Sequence, residues 1–531
     1  MKKVSIVSLL FIITSFLPAS GQVVKETVVN FLPDECWWGT HVQAGRDMPY
    51  TRVGETDLDK VNIGNQATAF FLSNKGRYIW SDRYFTFSIE DRAITIKSDF
   101  EKVEVKSGGS TLRDAYLTAC KNHFPPNGKI PDPMFFTHPQ YNTWIELMYN
   151  QNQEDILSYA RGIIDNGMPK GILMIDDNWQ RYYGNFDFRA EQFSDPKGMI
   201  KELHGMGFKV MLWVCPFVSP DSPEYRVLRD KGYLIKNKNS NDPAIIGWWN
   251  GKSACYDLTN PDAYNHLLGI LKGMQLEYGV DGYKFDAGDA GFYNPESQDY
   301  YDKNATAVDH SRMWAELGAE FTFNEYRACW QMQGQALVQR LGDKNYEWEA
   351  VQLLIPDMLA AGLLGYAYTC PDMIGGGEYT TFLRRQDEPF EQELLVRSAQ
   401  VHAMMPMMQF SVAPWRVLNE ENFEIVRRMA ILHQEKGAYI LELANQSAIT
   451  GEPIVRHMEY SFPNEGFEEC KDQFMLGDKY LVAPIVTQNN TRTVKLPKGR
   501  WVDDTGKTYK GGKEYKFEIP IERLLYFERK F

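Results

Sequence analysis

The sequence predicts an α/β fold, a (β/α)8 TIM barrel flanked by an N-terminal β-sandwich and a C-terminal antiparallel β-domain. Its 531 residues exceed what one ordinary core needs, which leaves room for a barrel of about 250 residues and two smaller modules. In the middle of the chain, short apolar runs alternate with amphipathic helical stretches, which is typical of parallel βαβ units. Both ends instead show short alternating apolar and polar runs, typical of antiparallel strands.

Residues 1–21 have the pattern of a secretory signal peptide. Lys2 and Lys3 precede an apolar stretch over residues 6–17, and the small residues Ala-Ser-Gly at 19–21 suit cleavage. We therefore expect a periplasmic or secreted protein. The apolar stretch is too short to anchor a chain stably in a bilayer, and no later segment reaches transmembrane length, so we expect no stable membrane insertion.

The flanking β-domains are predicted over residues 22–130 and 417–531. The first contains alternating runs such as AITIKSDF at 93–100, and it ends in a helix and the Pro-rich segment PPNGKIPDP. The second contains KYLVAPIV and TRTVKLPKGRW. The first domain also contains Cys36-Trp37-Trp38-Gly39, whose tryptophans either form a pair in the core or reach over a ligand pocket.

The barrel is predicted over residues 131–416. Its strand-like runs include GILMIDD at 171–177, FKVMLWV at 208–214 and VDGYKFDAG at 280–288. A doubly wound sheet has the same alternation, but no Gly-rich phosphate loop follows the first strand, which favours the barrel.

Charge and cysteine content exclude several classes of protein. The net charge is −13 and no basic patch is visible, so a nucleic-acid partner is not expected. The seven cysteines form no CxxC pair, which argues against a zinc site and a dense disulfide framework. Cys215 and Cys370, at predicted strand ends, are expected to be buried free thiols.

Acidic residues follow the strand-like runs of the barrel region. They are Asp176, Asp177, Asp286, Asp343 and Asp372. Because (β/α)8 enzymes carry their chemistry at the C-terminal ends of the strands, we expect these carboxylates to meet at one face. Two such carboxylates can cleave a glycosidic bond, one attacking the anomeric carbon while the other protonates the leaving oxygen.

Asp286 and Asp343 are the candidates for this pair. Asp286 follows the apolar run GYKF and precedes small residues that leave room for a ligand. The alternative is that Asp286 caps the following helix, although Asp289 is the better candidate for a cap. Asp343 follows the short apolar run ALV, with Gly342 beside it.

Six motifs resemble the barrel signatures of glycoside hydrolase family 31. They occur in the order IDDNWQ, LWVCPF, YKFDAGD, RACWQ, RLGDKNYEW and PDMIGGG. The sandwich region and the segment from FMLGDKYLVAPIV to LPKGRW are similar to the flanking domains of this family. The resemblance therefore implies an exo-acting, retaining α-glycoside hydrolase with no metal and no organic cofactor.

The resemblance also implies roles for individual residues. Asp286 matches the nucleophile of a K-x-D pattern that begins at Lys284, and Asp343 matches the acid/base of a G-D element. Arg327, sixteen residues before Asp343, is expected to bind sugar hydroxyls, the alternative being a structural salt bridge. Lys284, if it lies beside Asp286, is expected to help keep that carboxylate ionised, whereas the pKa of Asp343 is expected to be raised while Asp286 is charged.

Further residues are implied to contact the sugar. Asp176 matches an acid that holds hydroxyls in the −1 subsite, the pocket for the sugar being cleaved, and Asp177 is expected to share that task. Asp372 matches the Asp of a D-I-G-G motif. Trp213, Trp249, Trp248 and Trp179 are candidates for an aromatic surface under the sugar, with core packing as the alternative.

The sequence departs from the α-glucosidases of this family. They carry a His in an R-N-H element, where MMPMMQFSVAPW at 404–415 has Gln409 and Ser411 instead. The motifs look more like the subgroup that contains the myogenesis-regulating glycosidase and α-galactosidases. We therefore expect an α-galactosidase acting on an α-linked oligosaccharide or glycoside, with α-glucosidase or α-xylosidase activity as the alternative. A catalytically inactive carbohydrate-binding protein is a second alternative, and a homo-oligomer is left open.

Overall fold

A computed structural model describes residues 24–58, 66–100, 102–378, 380–381 and 390–531. The expected signal peptide over residues 1–21 lies outside this part of the chain. Across the described ranges, no helix combines the length and the apolar character needed to cross a membrane.

Eight parallel strands form the central sheet. In chain order, the first to eighth barrel strands are Gln140–Asn142, Ile172–Ile175, Lys209–Val214, Gly282–Phe285, Phe323–Tyr326, Gln339–Arg340, Thr369–Cys370 and Gln409–Phe410. The first seven strands pair in sequence order, and the eighth pairs with the first. A parallel bridge between Ile374 and Phe410 brings the seventh and eighth strands together. The predicted barrel is confirmed, and the doubly wound alternative is wrong.

Helices cover the outside of the barrel. They are Gln153–Asp165, Pro196–Met206, Pro261–Tyr278, Ala307–Gly318, Trp348–Leu363, Gln392–His402 and Glu420–Thr450. Local sequence sets their ends: the carboxylate of Asp195 accepts from the Gly198 N–H at 2.8 Å, and Pro196 occupies the first turn. The same helix stops at Gly207, whose φ of 98° lies in the left-handed region. Because helices lie outside and side chains fill the interior, strands such as Ile172–Ile175 are buried on both faces.

The N-terminal domain consists of two β-sheets. The first contains Lys25–Asn30, Ala93–Ser98, Thr86–Glu90 and Val53–Asp57; the second contains Trp37–His41, Gln66–Ser73, Arg77–Trp80 and Val105–Ser107. A barrel segment, Cys329–Trp330, joins the second sheet by parallel pairing with Gln66 and Ala67. Trp37 and Trp38 are almost fully buried, so the interpretation as a core pair is confirmed and the alternative that they reach over a pocket is wrong.

The C-terminal domain is antiparallel, as predicted. One sheet contains, in spatial order, Val455–Arg456, Phe474–Leu476, Tyr480–Val482, Tyr526–Lys530, Arg500–Asp503 and Thr508–Lys510. The second pairs Thr491–Leu496 with Lys513–Glu518. The helix Leu112–His123 links the sandwich to the barrel and packs against the C-terminal side through Tyr116, whose hydroxyl donates to the Gly451 carbonyl at 2.7 Å.

An insertion after the third barrel strand extends over the top of the barrel. Its strands Phe217–Val218, Ile246–Trp248 and Gly251–Cys255 form an antiparallel sheet, while Lys236–Asn237 pairs with Gln298–Asp299. A two-residue turn, Trp249-Asn250, joins two of these strands and lies above the C-terminal ends of the barrel strands.

The cysteines are unpaired throughout the structure. Cys215 and Cys370 are fully buried, which confirms the expectation of buried free thiols.

Substitutions of two glycines by alanine should change stability in opposite directions. A Cβ at Gly282 would lie 1.9 Å from the Phe323 carbonyl oxygen of the neighbouring strand, so Gly282→Ala should destabilise the protein by about 1–3 kcal/mol. A Cβ at Gly269, on the exposed face of the helix Pro261–Tyr278, meets nothing within 4 Å. Gly269→Ala should therefore stabilise by about 0.5–1 kcal/mol. Denaturant unfolding measures both, and equal effects would contradict this packing.

Candidate active site

A cavity of about 200 Å³ lies at the C-terminal ends of the barrel strands. Its lining residues are Trp144, Tyr149, Asp176, Asp177, Trp213, Trp249, Lys284, Asp286, Arg327, Asp343, Met373, Gly377 and Glu378. Of the residues predicted from the sequence to contact the sugar, the cavity brings together all except Asp372, Trp179 and Trp248. Within the described residues, no group of three or more His, Cys, Asp or Glu is arranged to hold a metal ion.

Asp286 follows the fourth barrel strand with its carboxylate held in one orientation. Trp213 Nε1 donates to Asp286 Oδ2 at 2.7 Å, and the Ala287 N–H donates to Oδ1 at 2.9 Å. Trp314 Nε1 fixes the backbone by donating to the Asp286 carbonyl at 3.2 Å. The alternative of a helix cap is wrong, because Asp286 begins no helix.

Asp289 precedes the short 3-10 helix Ala290–Phe292, but its side chain makes no capping hydrogen bond. It instead lies 3.2 Å from Arg327 Nε and is almost fully buried. The prediction of a capping role is therefore wrong. Burial raises the pKa of the Asp289 carboxyl, and Arg327 opposes that rise.

Arg327 lies between the two candidate catalytic acids. Its Nε is 3.9 Å from Asp286 Oδ1, and its Nη1 is 3.8 Å from Asp343 Oδ2. The guanidinium carbon lies 4.9 Å from the centre of the Trp249 ring. Arg327 therefore lines the cavity and makes salt bridges at the same time, so the two interpretations of its role are compatible.

Asp343 pairs closely with Arg340, a buried residue of the sixth barrel strand. Arg340 Nη1 lies 2.5 Å from Asp343 Oδ1. Burial alone would raise the pKa of Asp343, but Arg340 and Arg327 outweigh it and hold the pKa well below its usual range. The expectation of a raised pKa is therefore wrong for this structure.

Lys284 forms its ion pair with Asp176, at 2.7 Å. The ion-pair partner of Lys284 is therefore an acid that follows the second barrel strand and not Asp286. Burial alone would lower the pKa of Lys284, but the Asp176 carboxylate raises it. Lys284 consequently remains a cation that holds Asp176 at the cavity wall.

Asp177 is held by two residues that sequence reasoning did not select. Asn250 Nδ2 donates to Asp177 Oδ2 at 2.6 Å, and the Tyr183 hydroxyl donates to the same oxygen at 3.1 Å. Burial, together with the charge of Asp176, raises the pKa of Asp177 to about 7. The turn of the insertion therefore determines the orientation of this carboxyl group.

The four candidate tryptophans divide into two pairs. Trp213 and Trp249 line the cavity, and the Trp249 side of the cavity is open, with 48% of that residue exposed. Trp179 is buried and donates to the Trp213 carbonyl at 2.7 Å. Trp248 packs beside Trp249 with ring centres 5.1 Å apart. For Trp179 and Trp248 the alternative of core packing is confirmed.

Asp372 lies under the cavity rather than in its wall. Its carboxylate accepts from the Lys344 N–H at 2.9 Å and lies 3.5 Å from Arg340 Nη1. Burial raises the pKa of Asp372. Gln409 and Ser411 also do not line the cavity: Gln409 donates to Glu325 at 2.6 Å inside the barrel.

Five lining residues were missed by sequence reasoning. Trp144 and Tyr149 follow the first barrel strand, and Met373, Gly377 and Glu378 follow the seventh. Trp144 Nε1 donates to the Gly377 carbonyl at 3.0 Å and joins these two loops. The signal that could have identified them is that they follow barrel strands. The first and seventh strands, however, are too short to be recognised in the sequence.

Comparison with known proteins identifies the family. Residues 136–430 match the glycosyl hydrolases family 31 TIM-barrel domain, and residues 451–530 match the C-terminal domain of that family. The chain therefore belongs to glycoside hydrolase family 31.

Relatives of the chain carry several different names. The myogenesis-regulating glycosidase of Mus musculus is 32% identical over 412 residues, which are 76% of this chain and 57% of that protein. The α-xylosidase XylQ of Lactiplantibacillus pentosus is 25% identical over 472 residues, 81% of this chain and 59% of that protein. A family 31 dextranase of Flavobacterium johnsoniae, solved with glucose, shares the fold with a TM-score of 0.85 at 20% identity, covering 98% of this chain and 68% of that one.

A methyl group at Gly377 should displace the Asp343 carboxylate. The Cβ of Gly377→Ala would lie 2.3 Å from Asp343 Oδ1, and a shift of about 1 Å in a reacting group costs on the order of 10²-fold in rate. We expect kcat/KM for nitrophenyl α-glycosides to fall by about that factor with little change in melting temperature. Gly205→Ala, whose Cβ meets nothing within 4 Å, is the matched control. Full activity of Gly377→Ala would contradict the close packing of these loops.

Proposed function

We propose that the protein is a retaining, exo-acting α-glycoside hydrolase in which Asp286 is the nucleophile and Asp343 is the acid/base. The observation that carries this proposal is that carboxylates from two barrel strands line one cavity and flank the same guanidinium, that of Arg327. A cavity of about 200 Å³ suits one terminal sugar unit. Carboxylate pairs of this kind perform glycosidic cleavage in most glycoside hydrolases.

The first step forms a glycosyl-enzyme intermediate. Asp343, when protonated, gives its proton to the glycosidic oxygen as the bond from C1 to that oxygen breaks, and Asp286 bonds to C1. The hydrogen bonds from Trp213 and the Ala287 N–H hold the Asp286 carboxylate in place for this attack. In the second step, ionised Asp343 takes a proton from water, the water oxygen bonds to C1, and Asp286 leaves with the α-configuration retained.

Removal of the nucleophile should abolish turnover without unfolding the protein. We expect Asp286→Asn to lose about 10⁴-fold or more in kcat for nitrophenyl α-glycosides, because no covalent intermediate forms. Asp299→Asn, at a partly exposed position that pairs with Lys303, is the control and should keep its activity. Undiminished hydrolysis by Asp286→Asn would refute the assignment.

Rescue by azide should distinguish the two acids. In Asp286→Ala, azide replaces the nucleophile and should give a β-glycosyl azide. In Asp343→Ala, azide attacks the glycosyl enzyme formed from an activated substrate and should give an α-glycosyl azide. NMR of the azide products gives their anomeric configuration. An α-glycosyl azide from Asp286→Ala and a β-glycosyl azide from Asp343→Ala would mean that the two acids have the opposite roles.

We propose terminal α-linked galactose as the preferred sugar. In the subgroup that the sequence resembles, a tryptophan and acids of the early strands hold the axial O4 of galactose, and Trp213, Asp176 and Asp177 line the cavity here. The positions that replace the glucosidase histidine, Gln409 and Ser411, do not line it. Relatives named as α-xylosidases support xylose as the second candidate, because they share the barrel at 25–26% identity.

A panel of aryl α-glycosides tests the choice of sugar. We expect kcat/KM for the nitrophenyl α-galactoside to exceed that for the glucoside and the xyloside by at least about tenfold, since polar groups fixed for one hydroxyl discriminate against its epimer. A faster xyloside would favour the second candidate. No turnover across the panel would favour a carbohydrate-binding protein.

A further inference from the structure

Arg340 is a buried cation at the base of the site. It ends the sixth barrel strand, and only 1% of it is exposed. Its guanidinium contacts three carboxylates: Asp343 at 2.5 Å, Glu325 at 3.5 Å and Asp372 at 3.5 Å. Such a contact stabilises the ionised form of each acid, and the short distance to Asp343 makes that the strongest of the three.

Other charged groups also face Asp343. They are Arg327 after the fifth strand, Lys284 and Asp286 at the end of the fourth, Asp372 after the seventh, and Glu378, which also lines the cavity and whose N–H donates to the Lys344 carbonyl at 3.3 Å. Arg327 is farther away, at 3.8 Å, and is shared with Asp286 and Asp289. Lys344, beside Asp343 in sequence, directs its ammonium to Asp357 at 3.0 Å. Arg340 therefore provides the closest compensation of the Asp343 charge.

We propose that Arg340 is a positioning residue that holds Asp343 as a carboxylate and so favours its role as a base over its role as an acid. This inference rests on the proposed function. The first step needs Asp343 protonated, which weakens its pairing with Arg340, whereas the second step needs the carboxylate that Arg340 stabilises. Arg340 consequently makes protonation of the leaving group the slow step when that group is a poor one.

The neighbouring acids explain how Arg340 tolerates a protonated Asp343. The same Nη1 that contacts Asp343 lies 3.5 Å from Asp372, and the Nε faces Glu325. When Asp343 becomes neutral, the guanidinium still has the oxygens of Asp372 and Glu325 within 3.5 Å. This avoids leaving a buried charge without a partner, which would be costly.

The pH optimum of kcat/KM should report this role. The optimum lies midway between the two macroscopic pKa values of the catalytic acids, and an opposite charge within about 4–6 Å shifts a carboxyl by about 1–3 units. Removing the positive charge in Arg340→Gln should therefore move the optimum to higher pH by about 0.5–1.5 units. Arg340→Lys keeps a charge and should shift it less. Arg161→Gln, at an exposed ion pair with Glu202, is the control and should leave the optimum unchanged.

The dependence of kcat on the leaving group gives a second test, which applies to the wild type as well as to Arg340→Gln. The wild type should show no burst of free phenol with aryl glycosides whose phenol is a poor leaving group, and kcat should fall as the pKa of the leaving phenol rises. In Arg340→Gln this dependence should flatten, because Asp343 is protonated more readily. A purely structural role would lower kcat equally for every leaving group and leave the optimum in place.

These experiments distinguish a failure of the Arg340 proposal from a failure of the hydrolase proposal. A burst with a poor leaving group in the wild type, or an unmoved optimum in Arg340→Gln, would overturn the role of Arg340 and leave the hydrolase proposal intact. Should Arg340→Gln fail to fold, the wild-type burst and leaving-group series still decide. An absence of hydrolysis by the wild type would overturn both proposals.

Discussion

The pairing of buried charges is the constraint on which the site depends. Carboxylates from the second, fourth and sixth barrel strands converge on one cavity, and their repulsion would open it if they were not compensated. Lys284, Arg327 and Arg340 supply that compensation at distances of 2.5–3.9 Å. Because removal of one member of a buried pair leaves an uncompensated charge, the acids and the cations depend on one another. The chemistry of each acid follows from which cation lies closest to it.

Much of the fold was predictable from sequence, because the alternation of apolar runs and amphipathic helices follows directly from parallel strands covered by helices. The catalytic candidates Asp286 and Asp343 were also visible, since each follows an apolar run and matches a motif. Asp289 shows the limit of such reasoning. An acid before a short helical turn has the local sequence of a cap, and only the folded chain brings Arg327, 38 positions away, to its side chain.

The protonation behaviour of Asp343 was not predictable for a related reason. The motif shows an acid beside a glycine, but the pKa depends on whether the side chain of Arg340 turns back toward it. That orientation is set by packing inside the barrel, against Glu325 and Asp372. The insertion presents the same difficulty: Asn250 looks like an ordinary turn residue, and its contact with Asp177 arises from the path of the hairpin above the barrel.

The strand formed by Cys329 and Trp330 has a consequence for how the protein unfolds. It begins just after Ala328, the residue that follows Arg327, yet its backbone pairs with Gln66 and Ala67, and the Gln66 side chain also donates to Gln339 at 2.6 Å. The sandwich and this corner of the barrel therefore constitute one cooperative unit. Amide protons of the two should exchange with solvent together, and a barrel excised without the sandwich would lose the support beneath its substrate-side arginine.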